Sequence, residues 1–216
     1  MNIPELSWGI GRMTLVPATY VVGRLHHYGK DRIPDWGGVV LAMNHFSWID
    51  VATFGSCCPR TIRYVGKAEA HRVPGLGQLI RAFGTLSIRR GESDREAVRL
   101  MRQTVRDGNV LGVFAEGTRQ KSGVPGQAQA GAAMVAINEG VPVIPGATHG
   151  SQTWRVGNFH PISVAWGEPM RFDGLPRNSK GYREATGEIQ AKIHELWHWL
   201  VELHELGRPR DAVPPR

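Results

Sequence analysis

From Gly38 onward the chain alternates two kinds of segment, and this alternation restricts the fold more than any other feature. Val39–Met43 is a short, continuously apolar run, the pattern of a strand buried on both faces. Helical spacing follows over 49–54, then a strand candidate over 62–65, a Pro/Gly-marked helix over 76–83 and a strand over 85–88. Ser93 or Asp94 is placed to cap a helix whose apolar positions Ala97, Val98, Met101 and Val105 recur at helical spacing, and Gly108 is placed to stop it. Val110–Phe114 reads as a strand, 128–138 as a helix ending at Gly140, and 141–145 and 162–166 as further strands. Ile189, Ile193, Leu196, Trp197, Leu200 and Leu203 mark a long amphipathic helix that ends at Gly207-Arg208-Pro209, leaving 208–216 as a flexible tail. Short buried strands alternating with helices of this length predict one α/β domain, 35–207, with a mixed, partly parallel central sheet flanked by helices. A chain of 216 residues suits one such domain with a sizeable core.

Residues 1–34 read differently. Leu6, Trp8, Ile10, Met13, Leu15, Val16, Tyr20, Val21, Val22 and Leu25 are apolar, but Arg12, Arg24, several glycines and Pro17 interrupt them. A membrane-crossing helix needs about 20 apolar residues with little charge near the centre, and Arg12 and Pro17 argue against one. The segment is instead amphipathic, suited either to a membrane interface, with Trp8 and Tyr20 as anchors, or to packing on the domain's own core. The two cysteines, Cys57 and Cys58, are adjacent, so neither a disulfide framework nor a zinc ribbon is expected, which suits a reducing, cytoplasmic setting.

The chain's formal charge is +7, and residues 60–106, with eleven Lys/Arg against four Asp/Glu, carry all of the excess. Such a stretch attracts phosphate on nucleic acid, on a membrane or on a small substrate. A nucleic-acid module would interleave surface aromatics with the basic residues, and this stretch has only Tyr64 and Phe83, neither in such a motif.

Three groups of residues follow strand candidates, where ligands gather in open α/β sheets. The first is Asn44-His45-Phe46-Ser47-Trp48-Ile49-Asp50, in which a histidine and a carboxylate form a base-and-orienter pair. On one straight helix five residues rotate about 140° net, so the two side chains meet only if His45 lies in a turn and Asp50 in the first helical turn. His26 and Asp31 share that spacing without a preceding strand and read as solvated surface. The second group is Phe114-Ala115-Glu116-Gly117-Thr118-Arg119: Gly117 permits a tight turn, Thr118 offers a hydroxyl and Arg119 a phosphate-matching fork. Glu116 suits either neutralising Arg119 or accepting from a substrate hydroxyl. The third is Arg89-Arg90, with Lys67 after the 62–65 strand.

Together these blocks resemble the glycerolipid acyltransferase family, the 1-acylglycerol-3-phosphate acyltransferases in particular. Over roughly 38–147, Asn44-His45-x-Ser47-x-x-Asp50, Gly84-Thr85-Leu86-Ser87-Ile88-Arg89-Arg90, Phe114-Ala115-Glu116-Gly117-Thr118-Arg119 and Val141-Pro142-Val143-Ile144-Pro145 match four family blocks in order, and Lys67-Ala68-Glu69 resembles the K-x-E segment. Ala115 stands where the family usually has proline, a change expected to loosen the turn. Arg89 stands where an acidic residue is common, and Ala70 replaces a usual leucine. The resemblance implies an O-acyltransferase in which His45 is the general base and Asp50 its orienter. Glu116, Gly117, Thr118 and Arg119 would hold the acceptor's phosphate end, with Lys67 and Arg90 adding positive charge. It further implies acyl-CoA or acyl carrier protein as donor, lysophosphatidic acid as acceptor, phosphatidic acid as product, and no metal, cofactor or nucleic-acid partner. Glycerol-3-phosphate, another lysophospholipid and transacylation are the alternative acceptor chemistries. Residues 1–34 would then be a membrane-associating segment, peripheral or monotopic, on the cytoplasmic face.

Overall fold

A computed structural model describes residues 16–67, 86–88 and 94–216. Residues 16–22 form helix α1, followed by strand β1 (His26–Tyr28) and a 3-10 turn at Lys30–Arg32. Then come β2 (Val39–Met43), α2 (Asp50–Cys57), β3 (Ile62–Lys67), β4 (Leu86–Ile88), α3 (Asp94–Arg106) and β5 (Val110–Phe114). The chain continues through α4 (Gly131–Glu139), β6 (Val143–His149), β7 (Ser163–Trp166) and α5 (Ser179–Glu205). The expected helix over 76–83 lies outside the described residues.

The seven strands lie in the order β1-β7-β6-β2-β5-β3-β4. All neighbours are parallel except β6 and β7, so the sheet is mixed and partly parallel as the alternation predicts. Alternate residues of β2 divide between two cores. Val39, Leu41 and Met43 pack with α2, Tyr20 and Val22 on one face, while Val40 and Ala42 pack with α3, α4 and α5 on the other. A strand covered on both faces has no polar side to show, which is why Val39–Met43 is apolar throughout.

Gly140 sits at φ 65°, the left-handed cap expected to end α4. That helix starts at 131 rather than 128 because Ala128 N–H donates to Gln190 Oε1 and Gln129 N–H to Ala115 O, which hold the preceding residues out of the helix. β6 runs beyond the expected stop at Pro145. The Pro145 carbonyl accepts from Gly167, just past the end of β7, so the missing proline donor falls off the β2 ladder.

Residues 25–33 belong to the domain rather than to a separate N-terminal segment. β1 pairs with β7, and Leu25, Tyr28 and Ile33 are buried. His26 is therefore not solvated surface: it is half-buried in β1, and its Nδ1 donates to the Arg208 carbonyl at 3.1 Å. The tail over 208–216 is bonded to the fold. Buried Arg208 donates to Arg24 O at 2.8 Å and Ile162 O at 3.3 Å, Arg32 donates to the Pro214 and Pro215 carbonyls, and Lys192 to Arg216 O. A 3-residue edge strand has few ladder bonds of its own, and these contacts supplement them.

Candidate active site

β2, β5 and β6 are mutually parallel, so their C-terminal ends deliver the His45, Glu116 and Gly150 loops to one edge of the sheet. His45 lies in the turn after β2, and Asp50 is the first residue of α2. This is the arrangement that lets a five-residue spacing close. His45 Nδ1 donates to Asp50 Oδ2 at 2.9 Å, and the same oxygen accepts from the Phe46 and Ser47 backbone N–H groups, both at 2.7 Å. A carboxylate only accepts, so this bond fixes the tautomer and leaves the lone pair on Nε2. Asp50 is fully buried, and its Oδ1 has no partner among the described residues.

Aromatic packing fixes the imidazole plane. The ring stacks on Phe114, the last residue of β5, with centroids 3.9 Å apart and planes inclined by 15°. Tyr64 stacks behind Phe114, and Phe54 tilts against it. The main chain is held too: Gln120 N–H donates to His45 O at 2.7 Å, and the Asn44 side chain bonds both backbone groups of Thr148 in β6. Tyr64, Phe54 and Gln120 fall outside the groups singled out from the sequence, whereas Asn44 and Phe114 fall within two of them without a role assigned. Parity could have identified Phe114, which lies two residues before a candidate site residue at the end of a buried strand.

Ala115 tightens the second turn rather than loosening it. Its N–H donates to Met43 O at 2.8 Å, a bond that proline could not make, and Gly117, at φ 67°, closes the turn with an N–H bond to Phe114 O. Gly117, Thr118 and Arg119 are exposed, and Arg119 has no ion-pair partner among the described residues. Glu116 does not neutralise it. Its carboxylate turns inward, is 6% exposed and accepts from Gly126 N–H at 3.2 Å through Oε1, while Oε2 has no partner among the described residues. Burial pushes its pKa up to about 7, against the opposing pull of the Gly126 and His45 backbone N–H groups and with the help of the Asp50 charge.

That shift has a testable sign. The folded protein keeps the Glu116 proton up to about pH 7, whereas the unfolded chain releases it near the ordinary 4.5. The folded state therefore binds more protons between those values, and this group's contribution to stability falls as pH rises through the window and stays low above it. Glu116→Gln is expected to flatten the pH dependence of the urea midpoint between pH 5 and 8 relative to the parent protein. Parallel profiles would mean that the carboxyl titrates normally.

The basic stretch divides. Arg60 donates to the Pro34, Gly37 and Gly108 carbonyls at the opposite edge of the sheet, Arg99 pairs with Glu96, and Arg102 and Arg106 both pair with Glu139. Lys67 ends β3 at the His45 edge; its side chain, with Arg89 and Arg90, lies outside the described residues.

The fold and site define a class: an α/β sheet that presents a carboxylate-oriented histidine beside a glycine turn bearing an exposed arginine. The Acyltransferase family model matches residues 24–149, more than half of the sequence, and the chain belongs to that family. The 1-acyl-sn-glycerol-3-phosphate acyltransferase of Bacillus subtilis is 26% identical over 189 residues, covering 84% of this chain and 92% of that protein. A lyso-ornithine lipid O-acyltransferase of Rhodobacter capsulatus is 39% identical over 82 residues, 38% of this chain and 29% of its own length. The fold matches the crystal structure of the 1-acyl-sn-glycerophosphate (LPA) acyltransferase, PlsC, from Thermotoga maritima, with TM-score 0.68 and 21% identity, covering 95% of this chain and 80% of that one. The family resemblance carried by the four sequence blocks is thus borne out.

Proposed function

We propose that this acyltransferase moves a fatty acyl group from an acyl thioester to the free hydroxyl of lysophosphatidic acid, giving phosphatidic acid for phospholipid synthesis. The observation that carries the reading is the Asp50–His45 hydrogen bond, set one strand away from the exposed Arg119 turn. His45 Nε2 takes the proton of the acceptor hydroxyl as its oxygen attacks the thioester carbonyl carbon. The tetrahedral oxyanion collapses, the carbon–sulfur bond breaks, and the departing thiolate takes the proton back from the imidazolium. Asp50 orients the ring and balances the charge it gains. The reaction so written calls for no metal, cofactor or covalent acyl-enzyme.

Arg119 and the Gly117–Thr118 turn bind the acceptor phosphate, with Lys67 and Arg90 adding positive charge to that end. Glu116, turned inward, contributes by holding the Gly126 and His45 main chain rather than by touching phosphate. Acyl-CoA and acyl carrier protein are both anionic donors suited to a basic edge. No helix among the described residues is long and apolar enough to cross a membrane. Of the expected 1–34 segment, residues 1–24 supply the interfacial contact on the cytoplasmic face, since 25–33 are part of the domain, and no nucleic-acid partner is proposed. Their described part supports this, because α1 leads into β1 at the edge that carries His45.

A second acceptor is favoured by one observation: two lyso-ornithine lipid O-acyltransferases are 39% and 42% identical to this chain over 82 and 77 residues. Purified protein given acyl-CoA or acyl carrier protein with lysophosphatidic acid, glycerol-3-phosphate or lyso-ornithine lipid, followed by mass spectrometry, separates these. Phosphatidic acid as the main product is expected. Preference for another acceptor would overturn the substrate, and an unconsumed thioester the enzyme reading. Arg119→Ala is expected to raise KM for lysophosphatidic acid about tenfold with kcat little changed, as loss of a charge-assisted phosphate contact does. An unchanged KM would remove Arg119 from the phosphate site.

A further inference from the structure

We propose that the sheet edge bearing His45 seats on an anionic bilayer surface through Trp48 and the tip of the 150–161 loop, a touch point separate from residues 1–15. The inference rests on the lipid-acceptor reading above. β6 runs parallel to β2, so the 150–161 loop leaves the sheet beside His45. β7 returns antiparallel to β6 and β1 pairs parallel with β7, so α1 enters at the same edge. The segments are joined: the Trp48 and Trp154 rings pack edge to face with centroids 5.6 Å apart, and Trp154 Nε1 donates to Val22 O at 3.1 Å.

The loop is built to hold its tip outward. Asn158 Oδ1 accepts from the Arg155 and His160 N–H groups, and its amide donates to Thr153 O at 2.9 Å. This frame keeps Phe159 at φ 49°, a left-handed backbone rare for an aromatic residue, with the residue 49% exposed. Val156 is 83% exposed and Trp48 59%.

Charge selects the occupant. Over 16–25, 44–49, 115–130 and 150–161 the exposed charged residues are Arg24, Arg119, Lys121 and Arg155, and the single acidic residue, Glu116, is buried. Apolar side chains rimmed by bases and, among the described residues of these segments, free of exposed carboxylates fit the interface of an anionic bilayer, where tryptophan sits at headgroup depth and each base meets a phosphate. A second copy of this chain would bring like charge against like. The opposite edge is mixed, with exposed Asp35 and Asp107. Docked through Trp48 and the loop tip, His45 lies at the level from which a lysolipid hydroxyl is presented.

The test uses the full chain. Cys57 and Cys58 are buried, so the Val156→Cys variant takes a polarity-sensitive fluorophore at one position. Its emission is expected to brighten and shift to the blue with phosphatidylcholine vesicles containing phosphatidylglycerol. The double variant Val156→Asp, Phe159→Asp is expected to weaken vesicle partitioning about tenfold. It should also raise KM for vesicle-borne lysophosphatidic acid while sparing turnover of a dispersed short-chain acceptor. An emission that ignores vesicles overturns the proposal, as does one that follows protein concentration instead of lipid, or an equal loss with both acceptors. The fluorescence arm needs no turnover. A protein that shifts but acylates no glycerolipid therefore refutes the acceptor reading alone, and one that acylates without shifting refutes the docking surface alone.

Discussion

In a thioester-release assay, His45→Ala is expected to lower kcat about a thousandfold, the usual contribution of a positioned general base. A glycerol hydroxyl is a very poor nucleophile without proton removal, and among the described residues the other histidines beside the site, His149 and His160, are bonded elsewhere, to Gln152 and Thr153. The loss should fall on kcat with KM for the acceptor held, because Arg119 and its turn are untouched. The fold should persist. Asp50 Oδ2 keeps the Phe46 and Ser47 N–H bonds that start α2, so the thermal midpoint is expected to stay near that of the parent protein. Turnover close to that of the parent would exclude His45 as the base.

Asp50→Asn produces the second large effect, and for a different reason. The carboxylate oxygen Oδ2 accepts three bonds, and asparagine can supply one oxygen for them only by placing its amide where Oδ1 now lies, a buried position without a partner among the described residues. An unpartnered buried donor costs about 1–3 kcal/mol of stability. The larger loss is chemical. The imidazolium that forms as the hydroxyl is deprotonated has no counter-charge, and kcat is expected to fall by about 10²–10⁴. Steady-state kinetics with urea unfolding on the same sample separates the two. A kcat within a few-fold of the parent's would mean that the aspartate is structural only.

The positions of these residues were readable because they obey local rules. A buried apolar run ends at Met43, a turn follows, and helical spacing begins near Asp50, so the geometric condition for His45 and Asp50 to meet could be stated from the sequence. Gly117 and Gly140 were likewise placed by the backbone conformations their turns need. Other features depended on residues far along the chain. Glu116 follows a strand next to an arginine, and by sequence it is as good an ion-pair partner as an inward-facing acceptor. The chain around 126 decides, by offering a backbone N–H in a buried place. Ala115 looked like a weakened turn until its N–H proved to bond Met43 across the β2–β5 ladder. His26 looked solvated because β1 is three polar-looking residues, half-buried only through pairing with β7 and contact with Arg208.

By itself the sequence determined the alternation of strands and helices, the residues that stand at strand ends, and the family blocks, since periodicity, capping and turn preference act over a few residues. Only the tertiary structure decided that β2 lies between β6 and β5, that His45 therefore stacks on Phe114, that Glu116 is buried with its pKa near 7, and that the 150–161 loop meets Trp48. Strand order, ring stacking and desolvation are set by which distant segments exclude water together, and no short stretch of sequence contains that information.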